Sequence, residues 1–421
     1  MEPSTIALLI MAAVIVMYFI KQIPLAVTSV VAALAMFYFG ILDFKSAFSG
    51  FASSSVMLVM GMMVIGVAFE HVGLASMVSK RLLRYVNVSE KTFILLILSV
   101  TALFAGFFSS IVVMTIMLRI ADRMSVTTEG RISRKQLYLP IAFGAIYGSA
   151  MTSISAASII AGSATLSDHI GRGFTFFEPG ILGLPIVLVT IVVYWLFGYK
   201  LQKRCFTFDE EPLTDMQEEA ETHVPKWKQI LTLVVILGCV VCLFFGVTES
   251  GAIALTGAII LIISGCVNRK TIFREINWSV ILIVVGSIGF ALGIKNSGAG
   301  TVIANTIVTV FGAMANNAFF MCIVFLVLSV ILTAFTSNTS TIAVVLPIAL
   351  SVADSLGANL LPFGLAVCVG ANLSTSTPIA CANISLTTVV GYRTKDYLKV
   401  GGLFTVIATV VAALLLRVVY F

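Results

Sequence analysis

Charge is scarce in this chain, and histidine scarcer still. Of 421 residues, 10% are charged and three are histidines, whereas about a quarter of an ordinary soluble domain is charged. His71, His169 and His223 stand far apart in sequence, so a zinc site of the usual ligand spacing is not available. The seven cysteines are scattered singly, except Cys239 and Cys242. Their "CVVC" lies in an apolar run with no histidine or second pair nearby, which removes the common metal and redox motifs. No Ser/His, Cys/His or paired-carboxylate arrangement falls at helical spacing in the apolar body, which argues against an enzyme.

What fills the chain instead is hydrocarbon: 59% of residues are hydrophobic and the mean hydropathy is +1.10. Apolar runs of about 20 residues, long enough to cross a bilayer core, recur from end to end. The expected class is an all-α polytopic protein of the cell membrane, with no detachable anchor or cleaved signal peptide. Spans are expected near 4–20, 24–42, 53–71, 136–165, 177–199, 228–247, 250–267, 278–294, 361–390 and 398–419, about ten in all. The net charge of +6 is read as setting orientation, with no nucleic acid as partner.

Two stretches, 92–118 and 317–353, are too long for one ordinary crossing and carry polar residues centrally, as "FFSSIV" and "TAFTSNTSTIAVVLP". Cytoplasmic flanks carry the excess of Lys and Arg. A single crossing at 92–118 would put Lys80, Arg81, Arg84 and Lys91 opposite Arg119, Arg123, Arg131, Arg134 and Lys135. If the chain enters and returns, these residues share one side with Lys21, Lys200, Lys203, Arg204, Lys226, Lys228, Arg269, Lys270, Arg274, Arg393, Lys395 and Lys399; Lys45, Arg172, Lys295 and Arg417 fall outside. Two short spanning helices satisfy the same parity, but arms of 92–108 and 111–118 are short for that. Re-entrant hairpins, about 92–122 and about 317–353, are therefore expected, and non-helical backbone at membrane depth implies a protected or wet cavity.

The chain also repeats. Residues 44–83 match 269–308 in pattern: a polar lead, a span, a charged residue (Glu70 or Lys295), a Gly turn and an amphipathic helix. Hairpin, Gly/Ser-rich long span and final span follow in each copy. An odd number of crossings per copy makes the repeats inverted in topology, as in many secondary transporters. The expected units are repeat 1 (1–200), a hydrophilic cytoplasmic linker (201–227) and repeat 2 (228–421). Within the long spans, "GSAMTSISAAS" (148–158) and "GANLSTSTPIACAN" (370–383) predict breaks, the second carrying Pro378, which has no N–H to give a helix. Neither tip nor break contains Asp, Glu, Lys, Arg or His. Opened helices offer N-terminal amides for anions and freed carbonyls and hydroxyls for a hard cation. Such a site has no carboxylate for a proton relay.

With "SNTSTIAVVLPIAL" and "STPIACANISLTTVVGYRTKDYLKVG" in this order, nearly the whole chain resembles the divalent anion/sodium symporter (DASS) family of dicarboxylate, citrate and sulfate transporters. That resemblance implies a homodimer, each protomer having a scaffold and a transport domain that moves as an elevator. It places substrate carboxylates at Ser337, Asn338, Thr339, Thr377 and Pro378, with Ser109, Ser110 and Ile111 at the matching first tip. One Na+ would sit among Thr333, Thr336, Asn338 and Ser376, the other at Ala105, Ser109, Ser110 and Ile154. The first tip departs from the family pattern as Ser-Ser-Ile, the first break has no proline, and the helix that precedes the repeat in relatives is missing, which would put Met1 outside. The expected function is sodium-coupled transport of small divalent organic anions such as C4 dicarboxylates. A sodium-independent anion exchanger, a carrier of citrate or sulfate, and an ion channel are the alternatives.

Overall fold

The structure, a computed structural model, describes residues 2–20, 22–74, 77, 81–82, 88–208, 210, 224–276, 278–311, 314, 316–378 and 381–421. Lys21, Lys80, Arg84, His223, most of the expected linker, and much of the first copy's amphipathic helix lie outside these residues. Among the described residues every regular element is helical. Six helices among these residues are long and apolar enough to cross a membrane, and several shorter apolar ones accompany them.

The first half runs α1 (Pro3–Phe19), α2 (Leu25–Tyr38), α3 (Ser54–His71), α4 (Glu90–Ala105), α5 (Ser110–Thr127), α6 (Arg134–Gly148), α7 (Ala157–Ile170) and α8 (Gly180–Val193). A π-turn, Tyr194–Gly198, carries α8 on into Tyr199–Cys205. The second half runs α9 (Lys226–Phe245), α10 (Ser250–Ile263), α11 (Trp278–Asn296), α12 (Ala299–Phe311), α13 (Ala318–Thr333), α14 (Asn338–Ser355), α15 (Leu360–Gly370) and, after a short helix at Ala382–Ser385, α16 (Gly402–Tyr420). A second π-turn, Tyr397–Gly401, leads into α16. Side chains start several of these helices: Ser53, Ser89, Asn317 and Ser337 each accept from a backbone N–H in the first turn.

The matching order extends to packing. Helix α2 lies along α11, and α3 along α10, so each half lends one helix to the other. Both contacts close over a glycine: a Cβ at Gly61 would overlap the Ala254 backbone, and one at Gly286 the Ser29 backbone. Small residues of this kind let helix backbones approach in membranes. The short polar leads also correspond, as helices at Phe44–Ala47 and Arg269–Glu275.

Helices α4 and α5 form one hairpin, α13 and α14 the other. Near the start of α4, Glu90 pairs with Lys203 at 3.2 Å and accepts from Tyr199 at 2.8 Å. Tyr392, just before the final helix, donates to the Lys135 carbonyl at 2.6 Å. At the far end of that helix, Arg417 sits 4.9 Å from the ring of Phe319, in the first turn of α13. Thr394–Tyr420 spans 27 residues, about 40 Å at helical rise. The mouths of the two hairpins thus adjoin opposite ends of one long helix.

Two boundaries differ from expectation. The second arm of the first hairpin continues past 122 to Thr127. Its charged residues Arg119 and Arg123 do not stop it, because Tyr138 anchors Asp122 at 2.7 Å and the helix ends only at the left-handed pair Glu129 and Gly130. The span expected over 361–390 does not resume as a full helix after its break: four helical residues give way to a 3-10 stretch, Leu386–Val390. Thr387 and Thr388 hydroxyls each donate to the carbonyl three residues back, at 2.7 Å. Such bonds compete with the α ladder, and Gly391 at φ 98° ends the stretch.

Candidate functional site

The second hairpin turns between Thr333 and Asn338. Thr333 is fully buried at the last position of α13, and its hydroxyl lies 2.9 Å from Asn338 Oδ1 and 3.0 Å from the Ala371 carbonyl. Ser337 caps α14, accepting from Ser340 N at 3.2 Å, and its hydroxyl meets the Ser340 hydroxyl at 2.7 Å. Thr336 pairs with Thr341 at 2.9 Å. The cap leaves the amide end of an 18-residue helix at the tip, where partial positive charge favours an anion. Asn338 and Thr339, both half-buried, occupy its first turn.

The break after α15 closes on this tip. Thr377 donates to the Ala334 carbonyl at 2.5 Å, and Ser374 and Ser376 hydroxyls lie 3.4 Å apart. Pro378 accepts from Ser385 at 2.7 Å. The expected residues Thr333, Thr336, Ser337, Asn338, Thr339, Ser376, Thr377 and Pro378 therefore stand at one tip and the break bonded to it. Among the described residues, the hydrogen-bond partners in this network are hydroxyls, amides and carbonyls. Oxygen ligands of this kind suit a hard cation.

The first half repeats the latch with less polar material. Thr152, in the break between α6 and α7, donates to the Gly106 carbonyl as Thr377 does to Ala334; both acceptors are C-cap residues of a first hairpin arm. Ser155 donates to the Ser149 carbonyl at 2.6 Å. At the tip, Ser109 is exposed and makes no capping bond to α5, and Ile111 is 44% exposed. Ser110 begins α5, half-buried. Ala105 is buried, and the Ile154 side chain packs in an apolar cluster with Leu58, Phe176 and Ala254. Glu70 and Lys295 are both exposed, near the ends of their helices.

Two residues of the site carry no signal in the sequence. Tyr147 is fully buried within α6, and its hydroxyl lies 3.0 Å from Thr375 Oγ1 in the second break. Thr405, in α16, accepts from Thr375 N at 2.9 Å. A buried tyrosine needs a partner, and that rule alone would have marked Tyr147 without naming where it reaches. Asn372 and Ser158 fall inside the polar stretches read as breaks, and they meet across the two halves at 2.9 Å.

The profile of a family described as citrate transporter matches residues 6–370. An uncharacterised transporter of Synechocystis is 29% identical over 225 residues, 53% of this chain and 35% of that protein, so the chain spans about a third of that relative's length. The sodium-dependent dicarboxylate transporter SdcS of Staphylococcus saprophyticus is 20% identical, over 85% of this chain and 75% of its own. Two solved structures share the fold. The YdaH transporter of Alcanivorax borkumensis has a TM-score of 0.57 at 13% identity, covering 88% of this chain and 86% of its own. MtrF of Neisseria gonorrhoeae, from a class of antimetabolite efflux pumps, has a TM-score of 0.58 at 11% identity, covering 100% and 95%.

Proposed function

The chain belongs to the citrate transporter family, and from that premise we propose that it is a secondary transporter of small divalent organic anions, C4 dicarboxylates above all, coupled to sodium. The observation that carries this reading is the neutral clamp at the second tip. It offers the amide end of α14 to a carboxylate and, within the same few residues, the carbonyl end of α13 to a cation. Ser337, Asn338, Thr339, Thr377 and Pro378 would face the anion, joined by Ser109 and Ser110; Thr333, Thr336, Asn338 and Ser376 would hold one Na+. Cargo of opposite sign partly neutralises itself there, and the site adds no fixed charge that has to be dragged through the membrane. The relative named as a sodium-dependent dicarboxylate transporter supports the choice of both ions.

In this reading 1–200 and 228–421 are inverted repeats joined by a cytoplasmic linker, hairpins and breaks form a moving elevator, and the protomer works in a homodimer. The reciprocal pairing of α2 with α11 and α3 with α10, and hairpin mouths at opposite ends of the final helix, support the inversion. The test is uptake of labelled succinate, citrate and sulfate into proteoliposomes with an inward sodium gradient, against potassium as control. Sodium-stimulated uptake of a dicarboxylate is expected.

A sodium-independent exchanger is the second reading, favoured by the first tip. Exposed Ile111 and the apolar packing of Ile154 leave the set Ala105, Ser109, Ser110 and Ile154 short of cation ligands. Uptake indifferent to sodium yet dependent on internal dicarboxylate would decide for exchange.

A further inference from the structure

We propose that Asn372 is a positioning residue that sets the rotation of the Asn338 amide, and that Ser158 ties this device to the first half of the chain. The inference rests on the reading above in taking Asn338 as a ligand.

An asparagine side chain has two N–H donors and an oxygen with two lone pairs. Asn372 is 3% exposed, beyond the end of α15, and its Nδ2 donates to the Cys368 carbonyl at 2.8 Å. A carbonyl can only accept, so Asn372 must turn its amino group there and its oxygen the other way. That oxygen receives Asn338 Nδ2 at 2.9 Å. Asn338 is thereby fixed in turn, with its own oxygen towards the Thr333 hydroxyl at 2.9 Å. One N–H and one lone pair of Asn338 remain unspent: the N–H suits a carboxylate oxygen, the lone pair a hard cation. Rotating the amide by half a turn would exchange these two offers and lose both.

Ser158 completes the chain of contacts. Its hydroxyl lies within 3.0 Å of Asn372 Oδ1 and 2.9 Å of Nδ2, and it is itself 4% exposed in the first turn of α7. The orientation of a second-half ligand is thus fastened to the first-half break. Both offers of Asn338 depend on one rotation, so weakening that rotation weakens anion and cation binding together.

The test compares purified wild type with Asn372→Ala and the milder Ser158→Ala. Thr190→Ala serves as a control, because that buried hydroxyl only back-bonds to Ile186 within α8. Hydrogen exchange of peptides covering 333–341 is followed without ligand, and succinate uptake is titrated against succinate and against sodium. In Asn372→Ala we expect faster exchange in that segment. Both half-saturation concentrations should rise together by about tenfold while the maximal rate is retained; Ser158→Ala should show the same effects at smaller size, and Thr190→Ala neither. Unchanged exchange in both variants overturns the inference, as does a lowered maximal rate with both half-saturations intact, which marks a merely structural role. A wild type that carries no succinate under a sodium gradient defeats the functional reading alone, and the exchange comparison still decides Asn372.

Discussion

At the scale of single residues, the two tips differ by what they can offer a ligand. Asn338→Ala removes the group that we assign to both anion and cation. The expected outcome is loss of succinate uptake at unchanged expression, and wild-type rates would refute the assignment. The same truncation removes one of two donors to Asn372 Oδ1, Ser158 remaining, a loss of about 0.5–1.5 kcal/mol that a small drop in melting temperature should report. Ile111→Thr should be tolerated, since Ile111 is 44% exposed and supports no core. An altered preference in an anion-panel thermal shift is expected, and an unfolded variant would instead mark Ile111 as packing. The second tip was legible because its polar residues interrupt an apolar run. Tyr147 was not, because its partner Thr375 lies 228 positions away in the chain; Thr405 was not, because it is a lone hydroxyl in an apolar run whose bond to Thr375 appears only in the fold.

Among the elements, the pairing of α2 with α11 and α3 with α10 does most to hold the halves together. Gly286→Leu would drive a side chain into the Ser29 backbone. Overpacking typically costs about 1–3 kcal/mol, and backbone has little room to yield. Thermal unfolding in detergent should register the loss, while Gly238→Leu, at an exposed position where a Cβ would meet nothing within 4 Å, should leave the transition in place. Element order and repeat were readable from apolar run lengths and from the matched polar leads. The failure of a helix to resume beyond Pro378 was not, because Thr387 and Thr388 read equally well as helix-packing hydroxyls until their bonds to nearby carbonyls are seen.

For the whole molecule, lysine and arginine positions proposed one side for Lys91, Arg134, Lys135 and Lys203, and another for Arg172, Lys295 and Arg417. The structure gathers the first group: Lys91 lies over Trp195, Lys203 pairs with Glu90, and Arg134 pairs with Glu210 at 3.3 Å. Single cysteines at Lys91 and at Arg172 in an otherwise cysteine-free transporter should therefore label from opposite faces of intact cells with an impermeant thiol reagent. Labelling from one face would undo the orientation. Charge patterning yields a sidedness proposal because it obeys a global rule; the latches Thr152 to Gly106 and Thr377 to Ala334 depend on folded geometry, and no sequence spacing encodes them.

The widened turns at Tyr194–Gly198 and Tyr397–Gly401 set the phase of everything beyond them. Each residue advances a helix by about 100°, so dropping one residue from either turn swings the downstream face away from its present neighbours. Gln202 beyond the first turn grips the Gln136 carbonyl, and Thr405 beyond the second grips the backbone at Thr375. The two closing helices thus behave like keys cut to one notch: a slip by a single tooth would leave both bolts undrawn, however greasy and well formed the shaft.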